Sequence, residues 1–340
     1  MKLVVVTGAG GYIGSQLVRQ LLLGGYSVRA IDRFYFGVDV LNDLRGNPGL
    51  EVIRADCRNL DPKHLTGAYA VLDLVALSND PSGDLDPLLT KSINFESRFR
   101  TARLSKANGV SRYVLMSSCS VYGAGQTFSL DEQSKPNPLT VYAKSSLDAE
   151  AAILPLNSND FSVVVLRNAT VFGLSKRMRF DLVVNLMVAT AFERGEIIVM
   201  GGGNQYRPLI HVDDVCNAIQ LVLEVSNEAI AGEIFNIGLG NFQVIQIAFL
   251  IRQILGMGIK VITVDDDPDK RSYNVSFAKA SMVLNYNPQR DITFGTKQIF
   301  DALTSRQVIR SDKTSTVNWY RKLKEVEELF RELSIDDKII

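Results

Sequence analysis

Histidine and cysteine are scarce in this chain: two histidines, His64 and His211, and three cysteines, Cys57, Cys119 and Cys216, are scattered over 340 residues. That excludes a disulfide framework and leaves no Cys-x-x-Cys pair for a structural metal, so no metal is expected. A surplus of either charge is missing too, with 37 Lys plus Arg against 37 Asp plus Glu. An even balance gives no general attraction to nucleic acid or to an anionic membrane surface, and any anionic ligand must be met by locally placed arginines. No apolar run is long enough to span a bilayer, and the chain opens on Lys2 to Thr7 without a charged leader or cleavage site. A cytoplasmic protein is the expectation.

What is present is core material: 46% hydrophobic residues and 25 glycines, enough for one large body with a smaller lobe. The first half alternates short β-branched runs with longer helical stretches, the pattern of a parallel sheet covered on both faces. Strands are expected at Leu3 to Thr7, Ser27 to Asp32, Glu51 to Ala55, Val71 to Ala76, Arg112 to Ser117 and Ser162 to Arg167. Apolar residues at three- and four-residue spacing predict helices over Tyr12 to Leu23, Leu88 to Ala107 and Thr140 to Leu154. After Gly173 the rhythm changes, with a helix over Asp181 to Arg194, a strand Ile197 to Met200, a glycine turn at 201–203 and a helix from Asp213. Then come a strand Ile234 to Ile237, a helix Val244 to Leu255 and a strand Lys260 to Val264. Thr316 to Leu333 reads as an amphipathic surface helix.

The expected fold is therefore α/β: a Rossmann-type doubly wound parallel sheet with a smaller C-terminal substrate-binding lobe. Residues 1–173 form mainly the dinucleotide-binding part and 174–340 mainly the lobe, with segments at about 205–240 returning to the first.

The strongest local signal is Thr7-Gly8-Ala9-Gly10-Gly11-Tyr12-Ile13-Gly14, directly after the first strand and before an amphipathic helix. Gly8 permits a tight turn, Gly11 lets backbone approach a pyrophosphate, and Gly14 lets helix pack on strand. The helix N-terminus beyond, at Tyr12 and Ile13, offers unpaired N–H groups to phosphates. Asp32 ends the second strand eighteen residues after Gly14, where a carboxylate accepts both adenosine ribose hydroxyls and repels a phosphate there. NAD is therefore the expected cofactor, with Arg33 stacked on the adenine or, as the other account, tolerating a ribose phosphate. Asp56 and Cys57, ending the third strand, are placed near the adenine amino group, and a solvated turn is the other account of Asp56. Leu74, Val75 and Ala76 close the fourth strand on the same side, and Ser117 closes the fifth.

Two further runs, Met116-Ser117-Ser118-Cys119-Ser120-Val121-Tyr122-Gly123 and Val141-Tyr142-Ala143-Lys144-Ser145-Ser146, complete a resemblance that covers nearly the whole chain. With the glycine turn, Asn94, the run Leu166 to Gly173 and the run Arg207 to Val215, the sequence resembles the extended short-chain dehydrogenase/reductase family. Its members include NAD-dependent nucleotide-sugar epimerases and dehydratases. The resemblance implies that Tyr142 exchanges the proton of a sugar hydroxyl while hydride moves to or from the nicotinamide, and that Ser118 hydrogen-bonds the same oxygen. It also places Asn94 in the cofactor site.

Two departures stand out. The family has a lysine four residues after the tyrosine, and this chain has Ser146, assigned by position to the nicotinamide ribose. Lys144 is rotated roughly 200° from Tyr142 and cannot substitute. An adjacent cation lowers a phenol's pKa of ~10 by roughly one to three units, so a main reason for tyrosinate near neutrality is absent. The acidic pair of the family's water-eliminating members is replaced by Cys119 and Ser120, which favours 4-epimerisation through a transient keto sugar. A sugar ketoreductase or dehydrogenase, or a catalytically impaired NAD-binding protein, remain the alternatives.

For the substrate, a nucleotide-diphosphate sugar, the resemblance implies Arg207, Arg271 and Asn185 at the diphosphate or base and Thr170 at the sugar. Ser78 and Asn79 lie at the carboxyl edge of the fourth strand. It also implies a homodimer through helices 88–107 and 140–154.

Overall fold

The computed structural model describes residues 1–123, 129–266 and 272–335. The described residues form twelve strands: β1 (Leu3–Thr7), β2 (Ser27–Asp32), β3 (Leu50–Arg54), β4 (Ala70–Asp73), β5 (Arg112–Ser118), β6 (Ser162–Asn168), β7 (Thr170–Phe172), β8 (Glu196–Met200), β9 (Tyr206–His211), β10 (Ile234–Ile237), β11 (Gly240–Gln243) and β12 (Lys260–Val264). Seven lie in one sheet in the order β10-β6-β5-β4-β1-β2-β3, with every neighbouring pair parallel. Such a sheet must be covered on both faces, which the continuous apolar runs make possible. Val4 and Val6 face one core, with Leu17, Val18 and Leu21 of α1 (Tyr12–Leu23). Val5 points the other way, into a core with Ala102 of α2 (Ser97–Ala107) and Ala149 and Ile153 of α3 (Val141–Ile153).

Beyond the sheet lie α4 (Val183–Arg194), α5 (Val212–Glu224), α6 (Val244–Leu255), α7 (Ile292–Thr304) and α8 (Thr316–Leu333). Helix α5 returns to the first core through Val215, Ile219 and Val222, as β10 returns to the central sheet beside β6. Helices α4, α6 and α7 enclose a second core with Ile197 and Val199 of β8, and β8 pairs with β12. Strands β7, β9 and β11 make a separate three-stranded sheet. Strand β9, which lies in the same 205–240 stretch as α5 and β10, pairs with β7 and β11. The sequence hid β9 and β11 because Pro208 and the Gly240-Asn241 pair are poor strand formers.

Strand order reverses at β1, which has β2 on one side and β4 on the other. The crossovers diverge there and leave a crevice at the strands' carboxyl ends. Buried Asp73 ties this edge together: it accepts the Thr7 hydroxyl at 2.7 Å, Arg98 Nε at 3.3 Å and the Tyr113 hydroxyl. The expected strand to Ala76 stops at Asp73, and Leu74 to Ala76 turn along the crevice wall. The expected helix over 88–107 is interrupted by a π turn, Ser92–Glu96. That turn carries Asn94 inward, where its side chain accepts Leu77 N–H at 2.8 Å and donates to Leu77 C=O at 3.3 Å. No helix among the described residues is long and apolar enough to cross a membrane.

Candidate functional site

A cavity of about 550 Å³ fills the crevice and runs from the glycine turn, past Tyr142 and Ser118, to Thr170 and Arg207. At its first end the turn geometry is strict. Gly8 has φ +73°, and a Cβ on it would stand 2.8 Å from the Leu74 carbonyl carbon; a Cβ on Gly14 would stand 2.1 Å from Gly8 O. Gly11 precedes α1 and no side chain caps that helix, so its first N–H groups face the cavity as a positive end suited to phosphate. Asp32 lines the same end and accepts Gly10 N–H at 3.0 Å and Phe34 N–H at 2.6 Å. Burial raises its pKa, and those two N–H bonds oppose the rise. The residues present therefore fit a dinucleotide with a free adenosine ribose.

Asp56 is held by Arg58 Nη2 at 2.6 Å and Arg33 Nη1 at 2.8 Å, and its carboxyl is pushed down to about 2, first by the Arg58 bond. It meets the cavity as a fixed, largely satisfied anion. Cys57 beside it is pushed up to about 11 by burial and stays a thiol.

At the centre, Thr140 caps α3 by accepting Ala143 N–H at 3.2 Å, which puts Tyr142 in the first helical turn at the cavity wall. The Ser118 hydroxyl accepts Ser120 N–H at 3.1 Å and stands beside the Tyr142 phenol, where it favours the ionised form. A hydroxyl with one accepting site filled still has its proton to donate. Burial raises the Tyr142 pKa and Asp80 adds to the rise, while Ser118, Arg98 and Arg179 pull it down. Lys144 is exposed, as its rotation requires. Ser117 lines the cavity, but its hydroxyl is committed to buried Glu150, which also pairs with Arg167 at 2.6 Å. Cys119 donates its thiol to Arg167 C=O at 3.2 Å, and burial raises its pKa far beyond acid–base use. Ser120 lines the cavity with a buried hydroxyl that has no partner among the described residues.

Three expected contacts do not reach the cavity, each because its polar atoms are already engaged. Ser146, 2% exposed, donates back to Tyr142 C=O at 2.9 Å. Asn94 serves Leu77 as described. Asn185 accepts Gly173 N–H at 3.0 Å and donates to Tyr12 Oη at 3.0 Å and Arg179 C=O at 2.8 Å; it shapes the loop rather than meeting a ligand. Thr170 and Arg207 line the far end, and Arg271 lies outside the described residues. Ser78 and Asn79 line the cavity in the grip of a pair the sequence reading passed over: Arg179 Nη1 donates to Ser78 Oγ at 3.2 Å, and Asn79 Nδ2 donates to Asp181 Oδ2 at 3.1 Å. Arg177, Arg179 and Tyr320 also line the wall. Two arginines alternating in Arg177-Met178-Arg179-Phe180-Asp181, in a chain that must meet anions locally, were the visible signal.

Residues 4–238 match the NAD dependent epimerase/dehydratase family. A UDP-glucuronate 4-epimerase of Thermodesulfobacterium geofontis is 27% identical over 88% of this chain and 95% of its own. A UDP-glucuronic acid decarboxylase of Arabidopsis thaliana is 27% identical over 89% of this chain and 70% of its own. Among solved structures, the UDP-glucuronic acid 4-epimerase of Bacillus cereus in complex with UDP-glucuronic acid and NAD superposes with a TM-score of 0.80. It is 26% identical and covers 89% of this chain and 99% of its own.

Proposed function

The chain belongs to the NAD-dependent epimerase/dehydratase family, and on that premise we propose that this enzyme epimerises a nucleotide-diphosphate sugar at C4 through a transient 4-keto sugar. The observation that carries the reading is the single cavity joining the glycine turn, the Tyr142–Ser118 pair and the Thr170–Arg207 end. A redox reaction on one sugar carbon needs those three parts within one water-poor space.

NAD, when bound, supplies the acceptor for the C4 hydride and returns that hydride afterwards. Tyr142 takes the C4 hydroxyl proton as the C–H bond breaks, and Ser118 donates to the same oxygen as it becomes a ketone. Tyr142 then gives the proton back to the reduced oxygen, so the enzyme ends unchanged and no external oxidant is consumed. The raised Tyr142 pKa and the missing lysine make the phenol the resting form near neutrality. Turnover is therefore slow at neutral pH and climbs as pH rises.

Elimination across C5 and C6 is disfavoured because the places for its acids hold a buried thiol, Cys119, and a neutral hydroxyl, Ser120. UDP-glucuronic acid, the sugar of the named relatives, and UDP-glucose, its C6 alcohol, are the first substrates to try. A homodimer through the 88–107 segment and α3 belongs to the same proposal; Leu88 stands 82% exposed on that segment.

The test is incubation of purified enzyme with each UDP-sugar and no added cofactor, followed by NMR of the anomeric and C4 protons. A C4-inverted product supports the reading. Bound NAD with no inverted product across a panel of nucleotide sugars removes the epimerase assignment and leaves family membership standing.

A further inference from the structure

Arg177 presents a buried charge with no carboxylate in ion-pair contact among the described residues. It is 4% exposed, lines the cavity, and lies over the Phe36 ring with its guanidinium carbon 3.6 Å from the centroid. Nη2 donates to Thr316 Oγ1 at 2.9 Å, while Nε is buried and unbonded, and no carboxylate pairs with it among the described residues. Burial, and then Arg179, push the guanidinium down to about 9, which still leaves a cation at neutral pH. An unpaired buried cation is costly until an anion joins it.

The loop that carries Arg177 indicates which anion. The Tyr12 hydroxyl donates to Gly173 C=O at 2.6 Å, Ser175 Oγ donates to Tyr12 C=O at 2.7 Å, and the Ser175 and Ser15 hydroxyls are 3.1 Å apart. Residues 173–177 are thereby stitched to the first turn of α1, whose uncapped N-terminus faces the same cavity end. A helix N-terminus and a guanidinium then converge where the glycine turn admits a diphosphate.

Helix α8 holds this arrangement from outside. Thr316 N–H donates to Asp181 Oδ2 at 3.0 Å, Trp319 Nε1 donates to Tyr35 C=O at 2.7 Å, and Lys324 Nζ donates to Asp86 Oδ2 at 3.2 Å. The Tyr320 ring lines the cavity and meets Tyr35 edge-on with centroids 6.3 Å apart and Phe36 at 5.6 Å. The C-terminal helix therefore forms part of the cofactor wall beside the loop that follows Asp32.

We propose that Arg177 binds the diphosphate of NAD and that α8, through Thr316 and Tyr320, positions Arg177 and closes the adenosine side so that NAD stays bound between turnovers. The proposal rests on the NAD reading of the site. A retained cofactor also suits a reaction whose hydride leaves and returns.

The experiment titrates full-length wild type, Arg177→Gln, Arg177→Lys and Tyr320→Ala with NAD, ADP-ribose and adenosine by calorimetry, at low and high salt. It also measures the rate at which NAD leaves each protein. Arg177→Gln is expected to weaken NAD and ADP-ribose by about tenfold or more, to flatten their salt dependence, and to leave adenosine unchanged. Arg177→Lys recovers part of the loss, because a point charge replaces a stacked plane. Tyr320→Ala is expected to speed NAD release and to weaken adenosine as well. NAD affinity unchanged in Arg177→Gln overturns the diphosphate role. An equal loss for adenosine and NAD in that variant overturns it too, showing general disruption. A wild type that binds no NAD once any resident cofactor has been stripped from it overturns the proposal together with the cofactor reading.

Discussion

Restoring a lysine at position 146 tests whether the chemistry is limited by the charge state of one phenol. Four residues along a helix return roughly 400°, so positions 142 and 146 share a face with a rise of about 6 Å. Ser146 there reaches only the Tyr142 carbonyl, at 2.9 Å. A cation beside a phenol lowers its pKa by roughly one to three units, and each unit is about 1.4 kcal/mol in favour of phenolate. Because burial and Asp80 hold the Tyr142 pKa above the ordinary phenol value, the phenolate is scarce at neutral pH, and each unit gained raises its population about tenfold. The assay is kcat against pH for wild type, Ser146→Lys and Ser146→Ala, with bound NAD measured in each. Ser146→Lys is expected to move the rising limb down by about one to three units and to raise neutral-pH turnover accordingly. Ser146→Ala removes only a bond local to the helix and should leave the limb in place. A Ser146→Lys enzyme that is folded and NAD-loaded, yet has an unmoved limb, would refute the claim that phenol ionisation sets the rate.

Tyr142→Phe is expected to lower kcat by roughly 10²- to 10⁴-fold with bound NAD unchanged, read by turnover and by cofactor released on denaturation. Gly14→Ala forces a Cβ to 2.1 Å from Gly8 O, so α1 must shift and bound NAD should disappear from the purified protein, measured by mass after denaturation. Asp56→Asn should cost about 1 kcal/mol in denaturant unfolding at neutral pH, the small value reflecting solvent screening of a partly exposed group. Because the folded carboxyl is pushed below its ordinary value to about 2, the Asp56 contribution is complete above the ordinary carboxylate pKa and is lost as pH falls towards 2. Wild type and variant should therefore converge in stability across that acid window.

The sheet was legible because its strands are continuous β-branched runs: Leu3 to Thr7 and Ser27 to Asp32 fall where the alternation places them. The glycine turn was legible because its spacing is dictated by backbone clearance, which Gly8 and Gly14 display directly. Strands β9 and β11 were not legible, since they are held by pairing with each other and with β7 rather than by strand-forming residues. Ser146, Asn94 and Asn185 were placed at the ligand by position in a motif. Position does not reveal that a short polar side chain has found a nearer backbone or side-chain partner, as all three have. Helix α8 was legible as an amphipathic segment of the right length, but its role was hidden. The partners of Trp319 and Tyr320 lie nearly three hundred residues away, around Tyr35.

The central claim is that one cavity takes a C4 hydride from a sugar and returns the same hydride to the opposite face. It is tested most directly with UDP-glucose and UDP-glucuronic acid carrying deuterium at C4, in ordinary water, with no added cofactor. The account predicts a C4-inverted product that keeps its deuterium at C4, because the label travels on the hydride while only the hydroxyl proton passes through Tyr142. Inverted product with the label washed out to solvent, or complete absence of inversion by NAD-loaded enzyme, would contradict it.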